Sequence, residues 1–154
     1  MPTTSAGILL YRRAATGPEV LLGHMGGPFW AHKDAGAWSM PKGEYETDED
    51  PRAAAAREFA EEVGAPLPTG SLRELGTVRT SGGKRITGFA LEADFDAAHI
   101  TPGTFTCEWP PRSGRMQEFP EIDRAAWFDL PTAREKIVKS QLPLLDRLFA
   151  LTTG

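Results

Sequence analysis

The sequence predicts an α/β fold in which a mixed β-sheet carries helices on both faces. Short apolar segments bounded by glycine and proline recur along the chain, and segments of this kind are typical of strands. Three other segments are rich in residues that favour helices. A chain of 154 residues is long enough to bury one core, and no linker or repeat divides it. We therefore expect a single domain over residues 1–154.

The first elements are expected to be three strands and a long loop. Apolar runs at residues 6–11 and 19–22 flank a turn-like Ala-Thr-Gly-Pro sequence, which predicts two strands joined by a loop. Residues 24–37 are rich in glycine and aromatic side chains without any period, so we expect a loop of functional importance there. Residues 38–40 then favour a short strand, ended by Pro41-Lys42-Gly43.

The first helix has a well-defined start and end in the sequence. Asp50 is a good N-cap and Pro51 suits the first helical position, while the alanines that follow have high helix propensity. Phe59 and Val63 lie four residues apart, which places them on one face, and we expect that face to be buried. Gly64 is expected to end the helix.

The second half of the chain is expected to contain four strands and two helices. A polar, proline-containing loop is expected at residues 110–120. The turn sequence Ser81-Gly82-Gly83 separates the first two strands. We expect the strands at residues 74–80, 85–95, 104–109 and 125–128, and the helices at residues 132–139 and 142–151.

Three carboxylates of the first helix point to chemistry. Glu58, Glu61 and Glu62 occupy relative positions 0, +3 and +4, which lie on one helical face. Like charges at this spacing repel each other, so a fold gains nothing from clustering them unless a cation lies between them. Carboxylate oxygens suit Mg²⁺ or Mn²⁺. The alternative for these three residues alone is a solvated acidic surface.

The residues around these carboxylates complete a longer pattern. The window GEYETDEDPRAAAAREFAEEVGA follows G-x5-E-x7-R-E-u-x-E-E-x-G-u, where u is apolar, and thereby resembles the motif of the Nudix hydrolase family. The resemblance implies a Nudix-type α/β/α sandwich and a metal-dependent hydrolase that cleaves a phosphoanhydride bond in a nucleoside diphosphate linked to another group. All seven fixed positions match, at Gly43, Glu49, Arg57, Glu58, Glu61, Glu62 and Gly64.

The resemblance also implies roles for the residues of the motif. Glu58, Glu61 and Glu62 correspond to the carboxylates that hold Mg²⁺ or Mn²⁺, and the backbone carbonyl of Lys42 is expected to join them. Arg57 is expected to orient the catalytic glutamates, Glu58 and Glu61, and to pair with Glu49.

The two glycines of the motif are expected to be structural. Gly43 is expected to serve the backbone, because a tight loop must bring the chain to the end of the helix. Gly64 follows the last helical residue and is expected to terminate the helix.

The general base is open between two glutamates. In the resembling family it is a glutamate of the motif or one on a later loop. Glu118 and Glu121 both precede the predicted strand at 125–128, in the sequence QEFPEID. Glu118 lies further into the predicted loop and is slightly favoured as a residue that reaches over the helix. Either residue has the alternative of being an ordinary surface acid.

Candidate substrate-binding residues are cations and one aromatic residue. The candidate phosphate ligands are Lys42, Arg79, Lys84 and Arg85, although for Lys84 and Arg85 scattered solvated cations are the favoured alternative. Trp30 lies in the long loop at 24–37 and is a candidate for stacking on a nucleotide base. The alternative for Trp30 is a lid over the core.

Several substrate classes remain open from the sequence. The approach to the motif, Trp38-Ser39-Met40-Pro41-Lys42-Gly43, is similar to that of dinucleoside polyphosphate hydrolases and of diphosphoinositol polyphosphate hydrolases. A dinucleoside polyphosphate is the first expectation, and a nucleoside triphosphate or a diphosphoinositol polyphosphate is the alternative. A catalytically silent nucleotide-binding domain is a further alternative, which the intact motif argues against.

Composition narrows the expected partners and location. A net charge of −4 argues against a general nucleic-acid binder, so the expected partner is a small nucleotide. Cys107 is the only cysteine, which excludes an internal disulfide. The sequence contains neither a signal-peptide pattern nor an apolar run of membrane-spanning length. We expect a cytoplasmic protein without membrane contact, and the oligomeric state is left open.

Overall fold

The computed structural model describes residues 4–46, 48–80 and 82–153. Within them the chain forms nine strands, three α-helices and one 3₁₀ turn at Lys139–Gln141. The strands are β1 (Thr4–Ala14), β2 (Gly17–Met25), β3 (Trp38–Ser39), β4 (Lys42–Glu44), β5 (Arg73–Arg79), β6 (Arg85–Glu92), β7 (Thr104–Glu108), β8 (Met116–Pro120) and β9 (Ile122–Asp129). The helices are α1 (Pro51–Val63), α2 (Leu130–Lys136) and α3 (Leu142–Thr153).

Seven of the strands form one mixed sheet. Its order is β3-β2-β1-β6-β5, with β4 also paired to β1 and β9 also paired to β2. The pair β1–β6 is parallel, whereas the other pairs of this sheet are antiparallel. The prediction of a mixed sheet is therefore confirmed.

The central strand β1 is buried on both faces, and each face meets different helices. Leu9 and Tyr11 belong to a core cluster that includes residues of α2 and α3. Ile8 and Leu10, which point the other way because side chains alternate along a strand, belong to a second cluster that includes Phe59 of α1. Helices thus cover both faces of the sheet, and the predicted α/β/α sandwich is confirmed.

Helix α1 begins and ends as the sequence indicates. The Asp50 carboxylate accepts a hydrogen bond from the backbone N–H of Ala53, and Pro51 occupies the first turn. Gly64 adopts a left-handed conformation with φ of 75°, and its N–H donates to the carbonyl of Ala60. Phe59 is fully buried, as is the Val63 side chain on the same face. The predicted orientation of the helix is confirmed.

The loop predicted at residues 110–120 is wrong in part, because Met116–Pro120 forms strand β8. This strand pairs antiparallel with β7 in a separate two-stranded sheet, where Phe105 lies opposite Phe119. Only one face of this short hairpin packs on the domain. The two strands therefore share few apolar residues, and β8 alone carries no clear alternation in its sequence.

Several other boundaries differ from the prediction, and at two of them the local cause is clear. The chain returns to the sheet after Pro41, so Gly43 lies within β4 and pairs with Ala6 instead of lying in a loop. The second helix begins and ends earlier than predicted, because the Asp129 carboxylate caps it by accepting from the N–H of Thr132. It ends where Ile137 becomes extended.

Of the predicted turn Ser81-Gly82-Gly83, Ser81 lies outside the described residues. The rest of the connection is tight, since Gly83 N–H donates to the carbonyl of Thr80 over 3.0 Å. Among the described helices, none is long and apolar enough to cross a membrane.

Candidate active site

A cavity of about 630 Å³ lies beside α1 and is lined by side chains from strands, loops and the 3₁₀ turn. Two groups of side chains in its wall are chemically distinct. One is acidic and consists of Glu44, Glu58, Glu62 and Glu121. The other is aromatic and consists of Trp30 and Phe105. The cavity therefore brings together carboxylates and aromatic rings from segments that are far apart in the sequence.

Glu58 and Glu62 lie one helical turn apart and both line the cavity. Glu58 is only 8% exposed, and burial raises the pKa of its carboxyl, with the neighbouring charges of Glu61 and Glu121 acting in the same direction. Burial also raises the pKa of Glu62 to about 8, against the opposing effect of Lys42. Both shifts arise mainly from burial, which disfavours the charged form of each carboxyl.

Arg57 connects the carboxylates of the motif to the residues that precede the helix. Its guanidinium donates two hydrogen bonds to Glu49, at 2.9 and 3.0 Å, and one to Glu58 at 2.8 Å. The hydrogen bond from Arg57 lowers the pKa of Glu49. The geometry agrees with the expected pairing of Arg57 with Glu49 and places Arg57 in contact with Glu58.

Glu61 lies outside the cavity, unlike the other two carboxylates of the predicted metal site. Its side chain is 59% exposed and accepts a hydrogen bond from Arg57 at 3.3 Å. Among the described residues, no three or more His, Cys, Asp or Glu side chains are already arranged to hold a metal ion. The structure therefore brings Glu58 and Glu62 together and holds Glu61 on the outer side of the helix.

Strand β4 packs directly against α1 through Lys42 and Gly43. The backbone N–H of Lys42 donates to the Glu62 carboxylate over 3.2 Å. A β-carbon added to Gly43 would lie 1.8 Å from Oε2 of Glu58, a distance that no side chain tolerates. The glycine of the motif is thus required for close approach to Glu58, and the expected tight loop is not its reason.

The two candidates for the general base lie in different environments. Glu121 follows β8 and lines the cavity, and its charge acts on both Glu58 and Glu62. Glu118 is exposed on β8, directly opposite Thr106 of β7. Because Phe105 faces the cavity, the alternation of the strand turns Thr106 and Glu118 away from it. The structure thus places Glu121 at the site and Glu118 on the outer face of the hairpin.

The backbone of Glu121 is held on both sides. Its N–H donates to the carbonyl of Gly103 over 2.8 Å, and its carbonyl accepts from the N–H of Gly26 over 2.9 Å. Gly103 N–H in turn donates to the carbonyl of Glu61 over 3.2 Å. A chain of backbone hydrogen bonds therefore fixes Glu121 relative to the end of α1.

Trp30 and Phe105 provide the aromatic part of the cavity. Lys33 lies 5.1 Å from the centre of the Trp30 ring, and Phe105 packs so closely on Gly27 that an added β-carbon would lie 2.8 Å from the ring. Trp30 was predicted as a base-stacking residue. Phe105 was missed, because only its inward position on the unpredicted hairpin shows that it reaches the cavity.

The loop that carries Trp30 is anchored by buried polar contacts. His24 is fully buried, with Nδ1 3.0 Å from both carboxylate oxygens of Asp123 and Nε2 2.6 Å from the carbonyl of Lys33. Asp34 accepts a hydrogen bond from the indole N–H of Trp38 at 2.9 Å. These contacts hold both ends of the segment around Trp30 against the sheet.

The predicted phosphate ligands are divided between the cavity and the surface. Lys42 lines the cavity. Arg79 and Arg85 lie opposite each other on β5 and β6, and neither is part of the cavity wall. Lys84, next to Arg85, does line the cavity, as does Thr80. The sequence offers no signal that separates Lys84 from Arg85, because the difference depends on how the β5–β6 turn is directed.

The comparisons with known proteins agree with the fold and the motif. A family model described as the NUDIX domain matches residues 1–148. A C. elegans Ap4A hydrolase in a binary complex superposes with a TM-score of 0.68 at 22% identity, covering 97% of this chain and 98% of that one. The comparison with curated proteins gave no match.

Two further structures are similar over nearly the whole of this chain. The NUDIX domain of Shewanella oneidensis NrtR complexed with ADP ribose has a TM-score of 0.67 at 16% identity, covering 98% of this chain and 88% of that one. The MutT protein from Methanosarcina mazei Go1 has a TM-score of 0.63 at 18% identity, covering 99% and 97%. Likeness at these identities concerns the fold. The match to the family model, together with the complete motif at residues 43–65, shows that the chain belongs to the Nudix family, as a Nudix pyrophosphohydrolase.

Proposed function

We propose that this protein uses a divalent metal, Mg²⁺ or Mn²⁺, to hydrolyse a phosphoanhydride bond in a nucleoside diphosphate linked to another group, with dinucleoside polyphosphates as the preferred class. The observation that carries the proposal is the shared cavity. Glu58, Glu62 and Glu121 lie in the same cavity wall as Trp30 and Phe105. One site thus offers carboxylates for phosphate chemistry and aromatic rings for a base.

The residues present fit a hard divalent cation. Glu58 and Glu62 offer carboxylate oxygens, the ligands that Mg²⁺ and Mn²⁺ prefer. Both carboxyls have a raised pKa chiefly because they are buried, so a cation between them would offset the cost of burying their charged forms. We propose Glu58 and Glu62 as the primary ligands, with Glu61 and the carbonyl of Lys42 completing the set. When bound, the metal would neutralise phosphate charge and acidify a water molecule.

Glu121 is the residue we propose as general base. Its carboxylate would accept a proton from the attacking water while the water oxygen bonds to phosphorus and the anhydride P–O bond breaks. The electron pair of that bond leaves with the departing phosphate group. The backbone hydrogen bonds to Gly103 and Gly26 support this assignment, because a general base must be held within reach of its proton.

The remaining polar residues would orient the site and bind phosphate. Arg57 holds Glu58 through a charge-assisted hydrogen bond and is itself fixed by Glu49, so it is proposed to orient the carboxylate. Lys42 and Lys84 are the cations of the cavity wall and are proposed to contact the phosphate chain. Arg79 and Arg85 have no comparable support from the cavity.

The aromatic side chains support a nucleotide substrate. Stacking of a base on an aromatic ring contributes roughly 1–3 kcal/mol in single-strand binders. Two of the similar structures are an Ap4A hydrolase and a NUDIX domain complexed with ADP ribose, and in both Ap4A and ADP ribose a nucleoside diphosphate is linked to a second group. These names support the substrate class proposed here.

A substrate panel with purified protein tests the proposal. Dinucleoside tetraphosphate, nucleoside triphosphate, ADP-ribose and a diphosphoinositol polyphosphate would be compared by kcat/KM in Mg²⁺, in Mn²⁺ and with chelator. We expect turnover only with metal, and about tenfold higher kcat/KM for the dinucleoside compound from one additional stacking contact. Equal efficiency on the triphosphate would refute the preference, and binding without turnover would indicate a silent nucleotide-binding domain.

A matched pair of variants tests the general base. Glu121→Gln removes the carboxylate in the cavity, and Glu118→Gln makes the same change on the outer face of the hairpin. General bases contribute about 10²–10⁴-fold to rate, so we expect a loss of that size in kcat for Glu121→Gln and wild-type kcat for Glu118→Gln. The reverse result would restore Glu118 as the base.

A further inference from the structure

Gln141 is a fully buried polar side chain at the end of the 3₁₀ turn, far from the motif in sequence. Its Oε1 accepts a hydrogen bond from the backbone N–H of Met40 over 3.0 Å. Its Nε2 donates to the hydroxyl of Ser39 over 2.9 Å, and that hydroxyl donates to the carbonyl of Met40 over 2.8 Å. Both ends of the Gln141 amide are therefore used to hold two adjacent residues.

The residues held by Gln141 begin the approach segment, which we define as residues 39–43. The opposite side of this segment packs on β1. Ile8 N–H donates to the carbonyl of Pro41 over 3.0 Å, and a β-carbon on Gly7 would lie 2.7 Å from Cβ of Lys42. The approach segment thus lies between β1, which packs closely against Pro41 and Lys42, and the buried amide of Gln141, which holds its first two residues.

The other end of the approach segment touches both cavity carboxylates of α1. Lys42 N–H donates to Glu62, and Gly43 lies in closest contact with Glu58. Only Pro41 separates Met40, which Gln141 holds, from Lys42, which contacts Glu62. A shift of the backbone at Met40 would therefore reach the carboxylates within two residues.

We propose that Gln141 is a positioning residue for the metal-binding carboxylates and acts on them through the approach segment. The inference rests on the proposed function, because it assumes that Glu58 and Glu62 bind the metal. Gln141 and Ser39 border the cavity, but Gln141 is fully buried and both ends of its amide are already hydrogen-bonded to the approach segment, so Gln141 is assigned no contact with the reacting atoms. Its role is to fix the distance between β4 and α1, and thereby the positions of the two carboxylates, in the way that residues behind a metal site orient its ligands.

The test uses Mn²⁺ binding to the complete protein without substrate, measured by electron paramagnetic resonance. Gln141→Met keeps the size of the side chain and removes both hydrogen bonds. Loss of residues that orient metal ligands weakens affinity about 10–100-fold, so we expect a dissociation constant at least about tenfold higher. In turnover assays at saturating metal, kcat should fall while the KM for nucleotide stays within about twofold of wild type.

Two more variants separate positioning from general destabilisation. Ser39→Ala removes one of the two partners of Gln141 and leaves the bond to Met40 N–H, so a smaller increase in the Mn²⁺ dissociation constant is expected. It also carries the test if Gln141→Met does not fold. Lys139→Ala changes an exposed residue of the same 3₁₀ turn and should bind Mn²⁺ as wild type does.

Each outcome bears on a different statement. Unchanged Mn²⁺ affinity in folded Gln141→Met and Ser39→Ala would overturn the positioning role while leaving the proposed function intact. A rise in nucleotide KM with unchanged Mn²⁺ affinity would also overturn it, because Gln141 would then contact substrate. Absence of Mn²⁺ binding by the wild-type protein would refute the proposed function, and the positioning role with it.

Discussion

The carboxylate wall of the cavity, formed by Glu58 and Glu62 on α1, is built differently from the aromatic wall, formed by Trp30 and Phe105. The carboxylate wall stands on a helix whose opposite face is buried in the central core through Phe59. The aromatic wall stands on a loop and on a hairpin that belongs to a separate two-stranded sheet.

The contacts that hold the two walls also differ in kind. Around the carboxylates, Arg57 joins Glu49 and Glu58 through charged side chains. Around the aromatic rings, hydrogen bonds of the His24 and Asp34 side chains hold the ends of the loop, and Phe105 packs closely on Gly27. Under the proposed function, the chemical step would rest on side chains of a helix, whereas base recognition would rest on a loop and a hairpin, the kind of segment that varies most on a scaffold.

The largest expected effect is on the support of the carboxylate wall. Phe59→Ala removes a fully buried ring beneath α1, and a buried Phe→Ala change typically costs about 3–5 kcal/mol. We expect this loss in the free energy of unfolding, measured by denaturant titration. Phe105→Ala removes a ring of the aromatic wall that is only partly buried, so its loss in the free energy of unfolding should be smaller. Equal losses would contradict the difference between the walls.

The next effect is on the chemistry of the carboxylate wall. Glu62→Gln removes a charge with little change in shape, and loss of one group that stabilises charge in an active site lowers kcat by about 10²–10³-fold. The melting temperature of the metal-free protein at pH 6–7 should not fall, because the Glu62 carboxyl, with its pKa raised to about 8 by burial, is mostly protonated there. Near wild-type turnover in Mg²⁺ would show that Glu62 does not hold the metal.

A third prediction compares a glycine from each wall. Gly43→Ala places a β-carbon 1.8 Å from Oε2 of Glu58 and must displace that carboxylate. A displacement of about 1 Å in an active site costs about 10²-fold, so kcat should fall by that factor. Gly27→Ala, beside Phe105, should instead raise the KM. If both variants changed only the KM, Glu58 would be less sensitive to position than the comparison requires.

A smaller effect is expected from the aromatic wall itself. Trp30→Ala removes one stacking surface, and a contribution of roughly 1–3 kcal/mol per base corresponds to about a tenfold increase in KM for a dinucleoside polyphosphate. The effect on kcat should be slight, because ground-state and transition-state binding weaken together. Phe29→Ala, at the exposed neighbouring ring, serves as control. Unchanged KM in Trp30→Ala would remove the stacking role.

The smallest effect is a pH dependence of stability that comes from the Arg57–Glu49 pair beside the carboxylate wall. Arg57 lowers the pKa of Glu49 in the folded protein, so the unfolded chain binds more protons as the pH falls. The stabilisation by Glu49 is complete above its unfolded pKa of about 4.3 and is lost as the pH falls through the lower folded value. The melting temperature of Glu49→Gln, measured by thermal unfolding at each pH, should therefore decline less than that of wild type between pH 6 and pH 3.

The carboxylate wall could be predicted because its geometry is local. Helical spacing alone places Glu58 and Glu62 on one face, and the cap residues fix where the helix begins. The sheet and its two buried faces could also be predicted, since apolar runs mark the strands. Local patterns of this kind need no knowledge of the rest of the chain.

Phe105, and the positions of Glu121 and Lys84 in the cavity wall, could not be predicted in the same way. Whether Glu118 or Glu121 reaches the cavity depends on which face of β8 turns inward, and β8 was not visible in the sequence. Phe105 depends on the same hairpin. Lys84 differs from Arg85 only by the direction of a turn. Each of these positions depends on contacts between segments that are distant in the sequence, and a local sequence pattern does not show such contacts.

The position of Gln141 along the chain has a consequence for synthesis on the ribosome. Met40 and Gln141 are 101 residues apart in the chain. During synthesis the approach segment therefore cannot form its hydrogen bonds to Gln141 until long after the motif has been made. At a translation rate of about 5–20 residues per second, this interval is roughly 5–20 s. A nascent chain that already contains every glutamate of the motif should thus remain a poor catalyst until the 3₁₀ turn at Lys139–Gln141 has been made.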